Sequence, residues 1–234
     1  MKVAIHQPHY LPWLGYLAKW AEADLFIFLD TVQYEKNGFQ NRNKIRTKDG
    51  AQWLTVPVRV RLGTPIAEVE TDAGQDWARR HLRAIELAYG RAPGWQLREP
   101  EIRAFYERSW PRLAPLAVAS ATWLAGAAGI RTPARLASEL AVTATDPTER
   151  LVQLCQAVGA TTYLAGRDGA NYMDLARFAA AGIDVRAQAY THPIYPQLHG
   201  EFVSFLSALD LLLMNGDEAL AILRQGDAWS RLGP

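Results

Sequence analysis

Apolar and polar positions divide the chain into three stretches of different rhythm. Lys2-Val3-Ala4-Ile5-His6 is a short β-branched run closed by Pro8, which cannot donate to a ladder, and it predicts a strand. After Pro12, the residues Leu14, Leu17, Ala18 and Ala21 recur at helical spacing within Trp13 to Ala23. Asp24 interrupts them. Leu25-Phe26-Ile27-Phe28-Leu29 is then a continuous apolar run of strand length, the pattern of a strand buried on both faces of a parallel sheet. The opening predicts a right-handed βαβ unit.

From Thr31 to Gly50 the chain turns polar and predicts a loop, followed by a strand at Trp53 to Val58 that Ile66 to Glu70 can pair with. Beyond Gly74 come helix-period stretches at Trp77 to Tyr89, Glu101 to Trp110 and Leu113 to Ala128, divided by Pro93-Gly94 and by Pro111. The last third resumes α/β alternation. A helix at Thr148 to Val158 has Asp146 as N-cap and Gly159 as C-cap. A strand at Thr161 to Ala165, a short helix around Tyr172 to Ala181 and a strand at Ile183 to Tyr190 follow it. Helices at Phe202 to Leu213 and Asp217 to Leu223 close the chain. The expectation is one α/β domain over residues 1–234. It has a mostly parallel, Rossmann-like sheet and a helical insertion or lid at about 75–130.

Composition narrows the function classes. A length of 234 residues suits one such domain, and 25 Lys+Arg against 24 Asp+Glu leave a net charge of +1. That balance argues against a nucleic-acid partner and against disorder. The single cysteine, Cys155, excludes an internal disulfide and a cysteine metal cluster, and its apolar neighbours mark it as a small core residue. The N-terminal apolar run is too short for a signal peptide. The runs Leu113 to Ala128 and Leu206 to Met214 are too short and too interrupted to span a bilayer. The expected setting is cytoplasmic, with no membrane partner.

In open parallel sheets, ligands bind beyond the carboxyl ends of the strands. Polar residues gather at four such ends here: His6, Gln7, His9 and Tyr10; Asp30, Gln33, Asn41, Arg42, Asn43 and Lys44; Gly166, Arg167 and Asp168, with Asn171 and Tyr172 behind; and His192, Tyr195 and Gln197. His6 or His9 suits a general base near neutral pH. Asp30 suits the group that orients it, and His192 with Tyr195 would complete the pocket. Arg42 and Lys44 suit capture of phosphate or carboxylate. Gly166 would let the backbone approach a ligand. The expectation is that His6, Asp30, Asn41, Arg42 and His192 share one crevice. No dinucleotide, P-loop, nucleophile-elbow or zincin motif is present, and the spacing of His6, His9, Asp30 and His192 matches no metal motif.

Several segments resemble the WbqC-like family in collinear order. They are Ile5-His6-Gln7-Pro8-His9-Tyr10-Leu11-Pro12-Trp13-Leu14-Gly15-Tyr16, Asp30-Thr31-Val32-Gln33-Tyr34, Asn41-Arg42-Asn43-Lys44-Ile45 and Trp53-Leu54-Thr55-Val56-Pro57-Val58. Glu149-Arg150-Leu151, Tyr163-Leu164-Ala165-Gly166, His192-Pro193-Ile194-Tyr195-Pro196-Gln197 and Leu209-Asp210 before Asn215-Gly216 extend the match. Ala165 stands where a serine is commoner. The resemblance implies a bacterial protein of gene clusters for O-antigen, other surface polysaccharides or natural products. The strand ending in Gln-Pro, a loop histidine and a Leu-Gly-Tyr-Leu helix start are also similar to nucleotidyltransferases with an HxGH signature, although Tyr16 replaces the second histidine. In those proteins the histidines contact nucleotide phosphates.

Together these readings favour a transferase acting on an activated sugar or small biosynthetic intermediate, with acyl or aminoacyl transfer to an amine as the expected reaction. A nucleotide or acyl compound would be the donor, and a carrier-bound substrate or pathway enzymes remain open as partners. A non-catalytic nucleotide-sugar binding or scaffold protein, or a nucleotidyltransferase-like enzyme, is the competing reading.

Overall fold

A computed structural model describes residues 1–167, 169 and 173–233. Its central sheet has six strands in the order β10-β9-β8-β1-β2-β7. These are β1 (Lys2–His6), β2 (Leu25–Phe28), β7 (Ala134–Leu136), β8 (Thr162–Ala165), β9 (Asp184–Gln188) and β10 (Trp229–Leu232). All neighbours run parallel except β10, which pairs antiparallel with β9. From β1 the chain moves outward to β2 and β7; from β8 it moves the other way to β9 and β10. The order reverses between β1 and β8, so their carboxyl ends flank the natural binding crevice of this topology.

Alternation along β1 sorts its side chains. Val3 and Ile5 enter a core with α5 (Pro147–Ala157) and α6 (Leu175–Ala180), while Ala4 enters a larger core with α1 (Leu14–Glu22). His6 has the parity of Ala4 and faces α1. The α1 side of the sheet also carries α2 (Trp77–Tyr89), α3 (Trp95–Glu107), α4 (Leu113–Ala127), α7 (Ala208–Asn215) and α8 (Ala219–Gln225). The three helices α2 to α4 contribute no residue to the crevice described below.

Several elements differ from the sequence expectation. The polar stretch after Thr31 contains β3 (Arg42–Thr47), which forms a hairpin with β4 (Gly50–Thr55). Its buried positions include Asn43 on one face and Arg46 on the other, whose polar ends are absorbed by the backbone, so the strand lacks an apolar signature. Ile66–Glu68 is a 3-10 turn, and the pairing it was expected to make falls instead between β5 (Val58–Arg59) and β6 (Glu70–Thr71). α3 begins before Pro100 and not after it. The helix expected from Phe202 starts only at Ala208, because Phe205 has φ 57° and Ser207 caps the helix by accepting from Leu209 N. Asp146 does cap α5, accepting from Glu149 N at 2.8 Å, and Gly159 sits at φ 69° beyond its end. Among the described residues, no helix is long and apolar enough to cross a membrane.

Candidate functional site

Two chambers open at the carboxyl edge of the sheet, one of ≈ 810 Å³ and one of ≈ 400 Å³, and they share His6, Lys19 and Gly166. The first also takes Gln7, Gln33 and Glu35 from the β1 and β2 ends and Arg150 from α5. The second takes Trp13 and Tyr16 from the start of α1, Arg167 after β8, and Tyr190 and Phe205 from the segment between β9 and α7. The junction therefore sits at the switch point between β1 and β8, with α1 as its floor.

Local sequence fixes this junction. Pro8 ends β1, and the chain turns through Leu11 at φ 46°, a left-handed conformation rare outside glycine. That turn is held from both sides: Leu11 N donates to Ser120 Oγ at 3.0 Å, and Asn43 Nδ2 donates to the Leu11 carbonyl at 2.7 Å. α1 then begins with Leu14-Gly15-Tyr16. A Cβ on Gly15 would fall 2.2 Å from the Trp13 ring, so glycine is what lets that indole lie across the helix start as a wall of the second chamber.

His6 packs against Tyr16 and His9, with ring centroids 4.6 Å apart in both cases. Its Nδ1 lies 3.2 Å from the Gln7 carbonyl, which can only accept; Nδ1 therefore carries the proton and Nε2 keeps a lone pair. Burial first, then the nearby charge of Lys19, holds the His6 pKa well below the usual histidine value. Gln7 is fixed in turn: Tyr16 Oη donates to its carbonyl at 3.2 Å and Gln40 Nε2 donates to its side-chain oxygen at 2.6 Å.

Lys19 lies one turn after Tyr16 on α1 and is only 2% exposed. Its Nζ donates to the Ile5 carbonyl at 3.2 Å. Burial alone pulls its pKa down to about 7, and among the described residues no carboxylate offsets its charge.

The other candidate residues divide sharply. His9 is buried, stacked on Tyr16 at 5.1 Å with Phe39 beyond it, and burial followed by the charge of Lys19 lowers its pKa to about 3. Tyr10 is in the interior, with its hydroxyl bonded to Tyr106 and to His81 Nδ1. Asp30 accepts from Ser138 N at 2.9 Å and from Ser138 Oγ at 2.7 Å. Asn41 Nδ2 donates to the Val56 carbonyl, and Asn43 is spent on Leu11 and on Lys44 N. Arg42 lies over the Trp53 ring at 4.4 Å with Lys44 beside it, on the outer face of the β3–β4 hairpin. His192 is caged by Tyr195, Phe202 and Phe205, and Gln197 ties its segment to Val203 and the buried Asp210. Asp168, Asn171 and Tyr172 lie outside the described residues.

The expected single crevice of His6, Asp30, Asn41, Arg42 and His192 is thus not how the side chains lie: of the five, only His6 lines either chamber. Gln7, Gln33, Gly166 and Arg167 join it there. Sequence reasoning missed Lys19, Tyr16, Glu35 and Arg150. Among the described residues, no group of three or more His, Cys, Asp or Glu side chains is arranged to hold a metal. The cationic side chains at the junction suit an anionic ligand instead.

The model of the WbqC-like protein family matches residues 7–222. Over 228 residues the chain is 38% identical to the uncharacterized protein Rv1507c of Mycobacterium tuberculosis, a match covering 95% of this chain and 97% of that protein. No solved structure matches significantly. With the family model spanning the crevice from Gln7 through α1 to the segment around His192, the chain belongs to the WbqC-like protein family.

Proposed function

We propose that this protein is a transferase that joins two small-molecule substrates at the β1–β8 crevice, moving an acyl or aminoacyl group from an activated donor to an amine in surface-polysaccharide or natural-product biosynthesis. The observation that carries this reading is the pair of chambers meeting at His6, Lys19 and Gly166. A carrier needs one binding site, whereas group transfer needs two that share a reacting point.

In this reading the acceptor amine attacks the donor carbonyl where the chambers meet. The new C–N bond forms as the bond from acyl carbon to leaving group breaks. His6 Nε2, the free nitrogen of a ring whose Nδ1 is tied to the Gln7 carbonyl, takes the amine proton and returns it to the leaving group. Gln7 and Gln33 in one chamber and Arg167 in the other would hold the substrates. Family membership supports the setting only at the level of the gene clusters in which such proteins occur.

The test is a mass-spectrometric screen of purified protein with acyl phosphates, aminoacyl adenylates and acyl thioesters against nucleotide-linked amino sugars and free amino acids. Turnover that His6→Asn abolishes while donor binding persists is the expected result. Binding of nucleotide-sugars with no turnover of any pair, unchanged in His6→Asn, would refute the transferase and make the crevice a carrier site.

A further inference from the structure

Lys19 is a chemical oddity within the α1 helix. From Leu14 to Trp20 every residue of that helix is buried, so no solvent-facing side is available to it. An ammonium group has three N–H donors and no acceptor. Here one donor goes to the Ile5 carbonyl, and no further hydrogen bond or ion pair engages the group among the described residues. Burying an uncompensated charge costs several kcal/mol unless something pairs with it. A fold that keeps such a group where two chambers meet leaves the remaining donors for what enters them.

The surroundings narrow what that is. Arg150 from α5 lines one chamber and Arg167 after β8 lines the other. Two of the Arg150 nitrogens, Nε and one terminal NH2, are used on the Ala144 and Thr145 carbonyls, which fixes the guanidinium at the wall. Beside Gly166 the space where a Cβ would stand is open, so a ligand can approach that backbone. A cation shared by both chambers, a further cation in each, and a glycine at the carboxyl end of a parallel strand suit a multiply charged tetrahedral oxyanion better than a single carboxylate.

We propose that Lys19 Nζ is the docking point for the phosphate of a phosphate-bearing substrate, at the junction of the two chambers, with the Gly166–Arg167 turn flanking it. This deepens the transferase reading by naming the class of one of its substrates: a phosphate ester or anhydride, whose charge replaces the missing counter-ion of Lys19. His6 Nε2 then lies beside the anchored group.

Other titratable or charged groups facing this space are His6 from β1, His9 and Tyr16 behind it, Tyr163 from β8, Tyr190 after β9, Glu35 beyond Gln7, Arg150 and Arg167. Burial holds His6 and His9 neutral through the neutral range, whereas Lys19, with a pKa lowered to about 7, changes charge there. An oxyanion binds the protonated amine. Affinity should therefore weaken as pH rises through the neutral range.

The experiment is isothermal titration calorimetry of the full chain with inorganic phosphate and with sulfate, a tetrahedral oxyanion that does not titrate between pH 6 and 8. Acetate serves as the carboxylate control. Wild-type protein should bind phosphate and sulfate in preference to acetate, and sulfate affinity should fall about tenfold from pH 6 to 8. Lys19→Met should weaken both oxyanions by tenfold or more and remove the pH dependence. Equal phosphate binding by Lys19→Met, preference for acetate, or a flat sulfate profile in the wild type would each overturn the proposal. The last two need no variant, so they stand even if the substitution disturbs folding. None of these readouts needs turnover: oxyanion binding without any transfer would refute the transferase alone, and transfer without oxyanion binding would refute the anchor alone.

Discussion

Replacing Lys19 by methionine should make the protein more stable, by an amount that depends on pH in a defined way. Burial holds the native pKa of Lys19 at about 7, against the usual lysine value of 10.5. Between those values the unfolded chain holds a proton that the native protein does not, so stability of the wild type rises with pH across this window and is lost as pH falls. With about 1.4 kcal/mol for each unit of pKa difference, the lysine costs the native state about 4 kcal/mol at pH 7 and about 2 kcal/mol at pH 9. Methionine has a similar length and carries no charge. Its substitution removes the N–H donor of the Ile5 carbonyl, costing about 1 kcal/mol. The net expectation is a variant more stable than wild type by about 3 kcal/mol at pH 7 and by about 1 kcal/mol at pH 9. Urea unfolding followed by far-ultraviolet circular dichroism at both pH values measures it directly. A variant less stable than wild type at pH 7, or a gap identical at the two pH values, would refute the claim that the charge is buried without a partner.

Other consequences follow from the same geometry. His9 and His81 have pKa values of about 3 and about 4, so each is neutral in the native state while its unfolded counterpart protonates near 6.5. Stability should fall from pH 6.5 toward 4.5 by about 1.4 kcal/mol per pH unit for each ring, read from urea midpoints; proton signals assigned to His9 or His81 that titrate near 6.5 in the native protein would contradict it. Gly15→Ala puts a Cβ 2.2 Å from the Trp13 ring and should cost about 1–3 kcal/mol with a shift in tryptophan emission, whereas an unchanged melting temperature would place the indole elsewhere. Asp30→Ala removes the acceptor of both Ser138 bonds and should cost about 1.5–3 kcal/mol while leaving oxyanion affinity unchanged; lost affinity at unchanged stability would assign Asp30 to the site.

The parts of the fold that were readable from sequence are those where burial on both faces forces an apolar run. β1, β2 and β8 lie inside the sheet, and each announces itself by a stretch of Val, Ile, Leu, Phe or Tyr interrupted by few charges, whereas β9, also inside, carries Asp184 and Arg186 beside Val185 and shows the pattern less clearly. The edges do not. β7 has three residues and β10 has four, mostly exposed, so neither carries a hydrophobic signal long enough to count. β3 is hidden for a different reason. Its Asn43 holds the strained turn at Leu11 and its Arg46 reaches across to the His199 and Glu201 carbonyls, so a strand that organises the loop around the crevice looks like a polar linker.

The site was half legible for a related reason. The topology rule points to the strand ends, and four of the residues it singles out, His6, Gln7, Gly166 and Arg167, line the two chambers. It cannot separate a polar side chain waiting for a ligand from one already satisfied by the chain, because both are buried, polar and near a strand end. Asn43 and Lys19 make the contrast concrete. The amide of Asn43 uses Nδ2 on Leu11 and Oδ1 on Lys44 N, which leaves it little capacity for a ligand. Lys19 uses one donor of three. Yet the sequence did hold a signal for the lysine. Ala18 and Trp20 flank it, and Leu14 to Trp20 is apolar around the helix apart from that one charge. A helix apolar on every side has no solvent face, so a lysine within it must be paired or waiting to be. The helical spacing of Leu14, Leu17, Ala18 and Ala21 alone says nothing of Lys19. Asking where an all-round apolar helix would put its one charge leads instead to the point where the two chambers meet.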